Sequence, residues 1–133
     1  MPSALFQKVD CLSLPVPDLD AALSFYSEQL GHEMIWRSAS AAGLRLPGSN
    51  AELVLHTEER PMETDLAVHS VPEALARFRS AGGKVLAGPF EIAIGLCAVV
   101  SDPWENVLVI LDTSKGTLRV DRNKRVIEVP APE

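Results

Sequence analysis

Two carboxylates lie two positions apart in the segment ETDLA, residues 63–67, and this spacing gives them a chemical use. Residues 63–69 alternate in the manner of a β-strand, so Glu63 and Asp65 share one face of it. Two carboxylates close together in a partly apolar cleft raise the pKa of one of them, which suits a general acid or base. One hypothesis is therefore an enzyme in which Glu63, with Asp65 as electrostatic partner, moves a proton at a carbon next to a carbonyl.

The same carboxylates also have a non-catalytic interpretation. They can be hydrated groups at the mouth of a cavity, or they can pair with Arg45. Glu58 and Glu59 come just before them and indicate an acidic loop. Both interpretations stay open, and the acidic loop favours the second.

A thiol occupies the stretch VDCLSLPVPDLD, where a predicted strand leads into a helix. Cys11 and Ser13 share one face of this strand. The opposite face is apolar and carries Leu12, Leu14 and Val16. A nucleophilic cysteine needs a cationic neighbour, whereas Asp10, Glu63 and Asp65 are acidic. We therefore predict that Cys11 is a buried, unreactive thiol.

Composition limits the classes of function. The chain has 133 residues and a net charge of −6, and residues 1–114 hold 7 basic against 15 acidic side chains. This acidity argues against a nucleic acid partner and favours a neutral or cationic ligand. No apolar run reaches the ~20 residues of a membrane helix, and no signal-peptide pattern is visible. We expect a cytoplasmic protein without disulfides, since it has two cysteines and no CxxC motif.

An internal repeat organises the chain. A shift of 52 positions superimposes residues 11–31 on 63–83, and it also places Gly43 on Gly95. With four extra residues in the second copy, LVLHT at 53–57 then matches VILDT at 109–113. The chain is therefore two versions of one unit of about fifty residues.

Each unit is predicted to contain a strand, a helix and three more strands. The strands at 8–16 and 63–69 precede helices that begin at Asp18, as N-cap, and at Ser70, within a capping box. Further strands are predicted at 33–37, 42–47 and 51–57 in the first unit, and at 84–87, 95–101 and 106–113 in the second. The fold class is α+β, with two βαβββ repeats that form a curved, cradle-like mixed sheet and helices on its convex face. We predict one domain over 1–133, with units at 8–57 and 63–113. The basic tail, 114–133, is predicted to be a hairpin or an arm.

The sequence resembles the vicinal oxygen chelate superfamily, which includes glyoxalases, extradiol dioxygenases and bleomycin-resistance-type binding proteins. The residues that carry the resemblance are VDCLSLPVPDLDAALSFYSEQLG, DLAVHSVPEALARFRSAGGKVLAGP and SDPWENVLVIL. They span nearly everything from residue 8 to residue 113. The fold hosts several chemistries and some members that only bind, so it does not identify the reaction.

The resemblance also implies where a metal would be held. In metal-dependent members the ligands come from the first and last strand of each unit, which here correspond to Cys11, Leu53, Glu63 and Val109. Leucine and valine have no donor atom, and one thiol with one carboxylate is too few ligands. We therefore expect no metal cofactor. The alternative is a divalent metal held with Glu52, which would need a β-bulge to face the cavity.

The histidines do not supply the missing ligands in this interpretation. His56 is predicted on the helix-facing side or the rim of its strand, and His69 at the far end of its own. His32 follows the glycine that ends the first helix. We predict surface or rim positions for all three.

The resemblance thus implies a metal-deficient, concave small-molecule pocket. Its predicted lining is Cys11, Ser13, Trp36, Arg45, Leu53, Glu63, Asp65 and Val109. Leu55 and Leu111 are predicted to extend its apolar wall, and Trp36 and Trp104 are candidates for stacking. We expect a homodimer that binds or sequesters a small neutral or cationic compound. The alternative is an enzyme of the glyoxalase/dioxygenase type, a lyase, isomerase or dioxygenase, with Glu63 as acid or base.

Overall fold

The computed structural model describes residues 3–116 and 118–127. In chain order the elements are β1 (Lys8–Pro15), α1 (Leu19–Leu23), β2 (Met34–Arg37), β3 (Ala41–Arg45), β4 (Glu52–His56), β5 (Glu63–Ala67), α2 (Val71–Ser80), β6 (Lys84–Ile92), β7 (Gly95–Ser101), β8 (Val107–Leu111), β9 (Arg119–Val120) and β10 (Val126–Ile127). A π-helical segment, Ser24–Gln29, continues α1. The described residues form two compact units. The first-repeat unit comprises 10–64 and 119–127, and the second-repeat unit comprises 3–9, 65–116 and 118.

The first-repeat unit begins its helix where the sequence predicts. The Asp18 carboxylate accepts a hydrogen bond of 2.9 Å from the Ala21 N–H, which confirms Asp18 as N-cap. Gly31, with φ of 85°, follows the π-helical segment and turns the chain toward β2. The strands of this unit lie in the order β2-β3-β4-β1, with β1 parallel to β4 and the other pairs antiparallel.

The core of the first-repeat unit lies between this sheet and α1. Its buried members are Leu19, Ala22, Leu23, Ala42, Leu44, Leu53 and Leu55, and partly buried Leu12 and Leu14 pack against them. Because strand side chains alternate, the residues between these apolar positions lie on the opposite face of the sheet. The side chains on that opposite face are therefore not part of this core cluster.

The second-repeat unit has the same local plan, with strands in the order β5-β8-β7-β6. The Ser70 hydroxyl accepts from the Glu73 N–H at 3.3 Å, which confirms the predicted cap of α2. Its core cluster is formed by Val68, Val71, Ala74, Leu75, Ala98, Val100 and Ile110. The predicted α+β class and the repeated βαβββ order are confirmed.

A buried carboxylate ties the end of β8 to the start of α2. Asp112 is 2% exposed and accepts from the Val71 N–H at 2.8 Å, the Leu96 N–H at 2.9 Å and the Ser114 hydroxyl at 2.8 Å. Burial alone would raise the pKa of Asp112, but these hydrogen bonds outweigh it and lower the pKa below its usual value. Asp112 therefore stabilises the unit in its ionised form.

The C-terminal hairpin belongs to the first-repeat unit. β9 and β10 pair antiparallel, and the Arg37 N–H of β2 donates to the Lys124 carbonyl at 2.8 Å. The Lys124 ammonium also lies 3.3 Å from a Glu33 carboxylate oxygen. Residue 117 and residues 128–133 of the predicted basic tail lie outside the described residues.

The strand register corrects the alignment of the two repeats. Leu14 pairs with Leu55 in the first copy, and its equivalent Leu66 pairs with Ile110 in the second. Leu55 therefore corresponds to Ile110, so the second copy has three extra residues rather than four. Within the described residues, neither helix is long and apolar enough to cross a membrane.

Candidate functional site

The two faces of the first-repeat sheet decide which side chains a ligand can meet. Leu53 and Leu55 pack in the core cluster with α1, so their predicted cavity-facing orientation is wrong. The β1–β4 register runs without a bulge from Glu52 to His56. Glu52, Val54 and His56 therefore lie on the face opposite α1, and Glu52 needs no bulge to reach it.

We call this surface of the first-repeat sheet the polar face. It is formed by Cys11, Ser13, Trp36, Gly43, Glu52, Val54 and His56. Cys11 is 6% exposed and lies directly opposite Glu52 in the register. The predicted facing of Cys11 and Ser13, away from the apolar residues of β1, agrees with the core cluster.

Trp36 and Glu52 form a fixed pair on the polar face. The indole Nε1–H of Trp36 donates to Glu52 Oε1 at 2.7 Å. The ring crosses β3 at Gly43, where an added Cβ would collide with Trp36 Nε1 and lie 2.6 Å from Glu52 Oε1. Glycine at position 43 therefore allows an aromatic ring and a carboxylate to lie side by side.

Glu63 forms an ion pair with Arg60, a residue that the sequence did not predict as part of the site. The Arg60 guanidinium lies 2.7 Å from Glu63 Oε1 and 2.6 Å from Glu58 Oε2. The hydrogen bond from Arg60 also lowers the pKa of Glu58. Arg45, considered as a partner for Glu63, bonds Glu33 at 2.8 Å instead, with both side chains about half exposed. The i,i+3 spacing of Arg60 and Glu63 in the acidic loop was the available signal.

His56 is buried, contrary to its predicted surface or rim position. It is 1% exposed and lies on the polar face because Leu55, its neighbour in the chain, faces α1. Burial is the largest cause that lowers the pKa of His56, followed by the charge of Arg60; Glu58 and Glu63 oppose this in part. Of the other histidines, His69 is exposed, and the His32 Nδ1 lies 3.1 Å from the Arg45 carbonyl oxygen.

The remaining predicted site residues belong to the second-repeat unit. Asp65 pairs with Val109 in the β5–β8 register, and both are partly buried. Their neighbours Leu66, Leu108 and Ile110 belong to the core around α2, so Asp65, Val109 and Leu111 lie on the opposite face. Trp104 is 79% exposed, in a turn closed by hydrogen bonds to Asp102.

The side chains present do not fit the divalent metal of metal-dependent relatives. With Glu52 in place of Leu53, the donor set becomes Cys11, Glu52 and Glu63. Arg60 neutralises Glu63, and Trp36 occupies one oxygen of Glu52. Across residues 3–116 and 118–127, no three His, Cys, Asp or Glu side chains are arranged to hold a metal ion. A cationic Arg60 beside the set disfavours a second cation.

Comparison with known proteins gives a family and a set of similar folds. Residues 8–110 match the family described as Glyoxalase/Bleomycin resistance protein/Dioxygenase superfamily. The methylmalonyl-CoA epimerase from Mycobacterium tuberculosis is 18% identical, with a TM-score of 0.68 over 86% of this chain and 93% of that one. A Streptomyces coelicolor methylmalonyl-CoA epimerase variant in complex with 2-nitronate-propionyl-CoA is 17% identical, with a TM-score of 0.66 over 82% and 99%.

A third similar structure carries a different name. It is described as an NAD-dependent benzaldehyde dehydrogenase from Legionella pneumophila, 21% identical, with a TM-score of 0.64 over 78% of this chain and 98% of that one. No curated protein sequence matches this chain. At these identities the likeness to solved structures establishes the fold alone.

Proposed function

The chain belongs to the Glyoxalase/Bleomycin resistance protein/Dioxygenase superfamily, and we propose that it binds or sequesters a small neutral or cationic compound without a divalent metal. The observation that carries this proposal is the Trp36–Glu52 pair on the polar face. An indole face attracts cations, and a neighbouring carboxylate adds to that attraction. The acidity of residues 1–114 acts in the same direction.

The Trp36–Glu52 pair is also preorganised: its geometry is fixed without a ligand. The 2.7 Å hydrogen bond fixes the ring plane, and Gly43 leaves room for it. A fixed aromatic ring loses little conformational entropy when a ligand stacks on it. A cationic group attached to an aromatic or compact apolar body suits this surface best.

Tryptophan fluorescence tests the proposal directly. Trp104→Phe removes the second of the two tryptophans, so emission then reports Trp36 alone. Benzyltrimethylammonium should shift this emission more strongly than neutral benzyl alcohol. Glu52→Gln should weaken the cation response, whereas the matched change Glu59→Gln, at an exposed loop carboxylate, should not. Equal responses to the two probes, or no effect of Glu52→Gln, would contradict the role of the pair.

The absence of a metal requirement has its own test. Protein purified without chelator or metal-affinity tag should contain no stoichiometric transition metal by elemental analysis. Stoichiometric Ni, Zn, Mn or Fe would overturn this part of the proposal, since the Cys11, Glu52 and Glu63 set would then have to bind it.

A second candidate function is an enzyme with Glu63 as acid or base. The fold similarity to methylmalonyl-CoA epimerases supports it, as does the partial burial of Glu63. Arg60 holds Glu63 in place, with its guanidinium 2.7 Å from Glu63 Oε1. If any turnover is found, Glu63→Gln should abolish it. Glu58→Gln, which changes the other carboxylate on Arg60, should leave it nearly intact.

We further propose a homodimer. Two large apolar side chains on β6, Leu86 and Phe90, are about half exposed and would be covered in such an assembly. Light scattering at several protein concentrations should give twice the 14.4 kDa chain mass; the mass of one chain at all of them would contradict it. A location in the cytoplasm stays a prediction, to be tested by fractionation.

A further inference from the structure

Two buried polar side chains on the polar face have no part in the Trp36–Glu52 pair. Ser13 is 2% exposed and His56 is 1% exposed. Among the described residues, the Ser13 hydroxyl oxygen and both ring nitrogens of His56 have no hydrogen bond of ordinary geometry, and the His56 ring has one weak backbone contact, at Glu58. Buried polar groups are nearly always satisfied, by protein, by ordered water or by a ligand. These three atoms therefore mark a place where a group from outside the chain is expected to bind.

The two side chains lie on adjacent strands and share one face. Ser13 is opposite Val54 in the β1–β4 register, and His56 is two residues further along β4, opposite Pro15. Ser13 and His56 are thus diagonal neighbours on parallel strands, roughly 8 Å apart between backbones. A group of a few heavy atoms can hydrogen bond to both.

The surroundings of His56 keep its imidazole ring neutral. The strand neighbours of His56 are Pro15 on β1 and Ala41 on β3, neither of which carries a charge. The ionic groups that act on the ring are Arg60, Glu58 and Glu63, one cation against two carboxylates, and both carboxylates pair with Arg60. Because burial lowers the pKa of His56, the ring is neutral near pH ~7, with one donor and one acceptor nitrogen.

We propose that Ser13 and His56 form an uncharged subsite that hydrogen bonds a neutral amide, carbonyl or hydroxyl group of the ligand. The subsite rests on the proposed function, since it lies on the same face as Trp36 and Glu52. Glu52 and His56 are four residues apart on β4, which is about 13 Å. The ligand class is therefore an elongated molecule with a cationic or aromatic end and a neutral, hydrogen-bonding end.

Fragment binding followed by NMR tests the subsite. Lactamide, a small neutral molecule with a hydroxyl and an amide, serves as the probe at millimolar concentration. Long-range ¹H–¹⁵N spectra report the His56 ring nitrogens, which are assigned from the His56→Asn variant. Lactamide should shift the His56 ring signals, and Ser13→Ala should weaken this binding about tenfold. His69→Asn, at an exposed histidine outside the polar face, is the matched control and should change neither result.

The outcomes separate the subsite from the proposed function. If lactamide leaves His56 unmoved while benzyltrimethylammonium still shifts Trp36 emission, the subsite is wrong and the proposed function stands. If His56 contacts only a bound water that lactamide does not displace, the subsite is also wrong. If lactamide binds but the cation does not, the subsite stands and the Trp36–Glu52 contact fails. Should His56→Asn not fold, loss of lactamide binding in Ser13→Ala supports the subsite, and unchanged binding overturns it.

Discussion

Gly43→Ala tests whether the Trp36–Glu52 pair depends on one missing side chain. The added methyl group would collide with Trp36 Nε1 and lie 2.6 Å from Glu52 Oε1. Position 43 is buried, and its strand neighbours Val54 and Trp36 lie on either side of it. The methyl group can therefore be accommodated only if the indole ring moves or the strand shifts.

The loss of folding free energy in Gly43→Ala is set by whichever of two structural responses costs less, a shift of the strand or a movement of the indole ring. If the strand shifts, overpacking costs about 1–3 kcal/mol. If the ring moves, the hydrogen bond to the Glu52 carboxylate is lost, which costs about 1.5–3 kcal/mol. Replacing glycine by alanine also lowers the entropy of the unfolded chain and returns about 0.4–1 kcal/mol. We expect a net loss of about 1–2 kcal/mol, or roughly 5 °C in Tm.

Calorimetry and fluorescence together check this expectation. In the Trp104→Phe background, Gly43→Ala should change Trp36 emission and weaken the response to benzyltrimethylammonium. Gly48→Ala is the matched control, because an added Cβ at position 48 meets nothing within 4 Å. If Gly43→Ala and Gly48→Ala have the same Tm and the same Trp36 emission, the reasoning about the pair is refuted.

Three further predictions concern stability. Asp112→Asn replaces one carboxylate oxygen by an amide NH₂ group, so a backbone N–H of Val71 or Leu96 loses its acceptor. At neutral pH this should lower the free energy of unfolding by about 2 kcal/mol, measured by chemical denaturation. The folded-state pKa of Asp112 is lowered, so its contribution is present above the unfolded pKa near ~3.9 and lost as pH falls through the folded value. The difference in free energy of unfolding between wild type and Asp112→Asn should therefore narrow in acid. Asp102→Asn, at a partly exposed turn carboxylate, is the control and should have a smaller effect. The pKa of His56 is also lowered, so the unfolded chain binds a proton that the folded chain does not. Stability should then decline as pH falls through the unfolded value near ~6.5, and this decline should be smaller in His56→Asn. Ser70→Ala removes the cap of α2 and should cost about 1 kcal/mol by the same denaturation assay; an unchanged midpoint would contradict that assignment.

The sequence was sufficient for the parts of the fold that depend on local chemistry. Asp18 and Ser70 cap helices because their side chains accept hydrogen bonds from backbone N–H groups three residues away, and the local pattern contains this information. The face of β1 was also predictable, because Leu12 and Leu14 are apolar and Cys11 and Ser13 are not. Patterns of this kind need no knowledge of a distant partner.

The face of β4 could not be predicted in the same way. The run ELVLH contains three consecutive apolar residues, so its pattern does not distinguish the two faces. Matching LVLHT to VILDT by letters gave an offset one residue too long. A shift of one residue in a strand reverses the face of every side chain. Because of this single shift, Leu53 and Leu55 were predicted to face the cavity, and Glu52 and His56 were not. Only the pairing of β4 with β1 resolves it.

The corrected offset also shows that the two repeats have diverged in chemistry. In the strand register, Trp36, Gly43 and Glu52 correspond to Ala87, Val99 and Val107 in the second copy. None of these three residues is kept, so the second copy has neither the aromatic ring, nor the carboxylate, nor the glycine between them. The aromatic–carboxylate pair thus exists in one repeat alone. A binding surface built from one repeat has no internal two-fold symmetry, so it should hold its ligand in a single orientation.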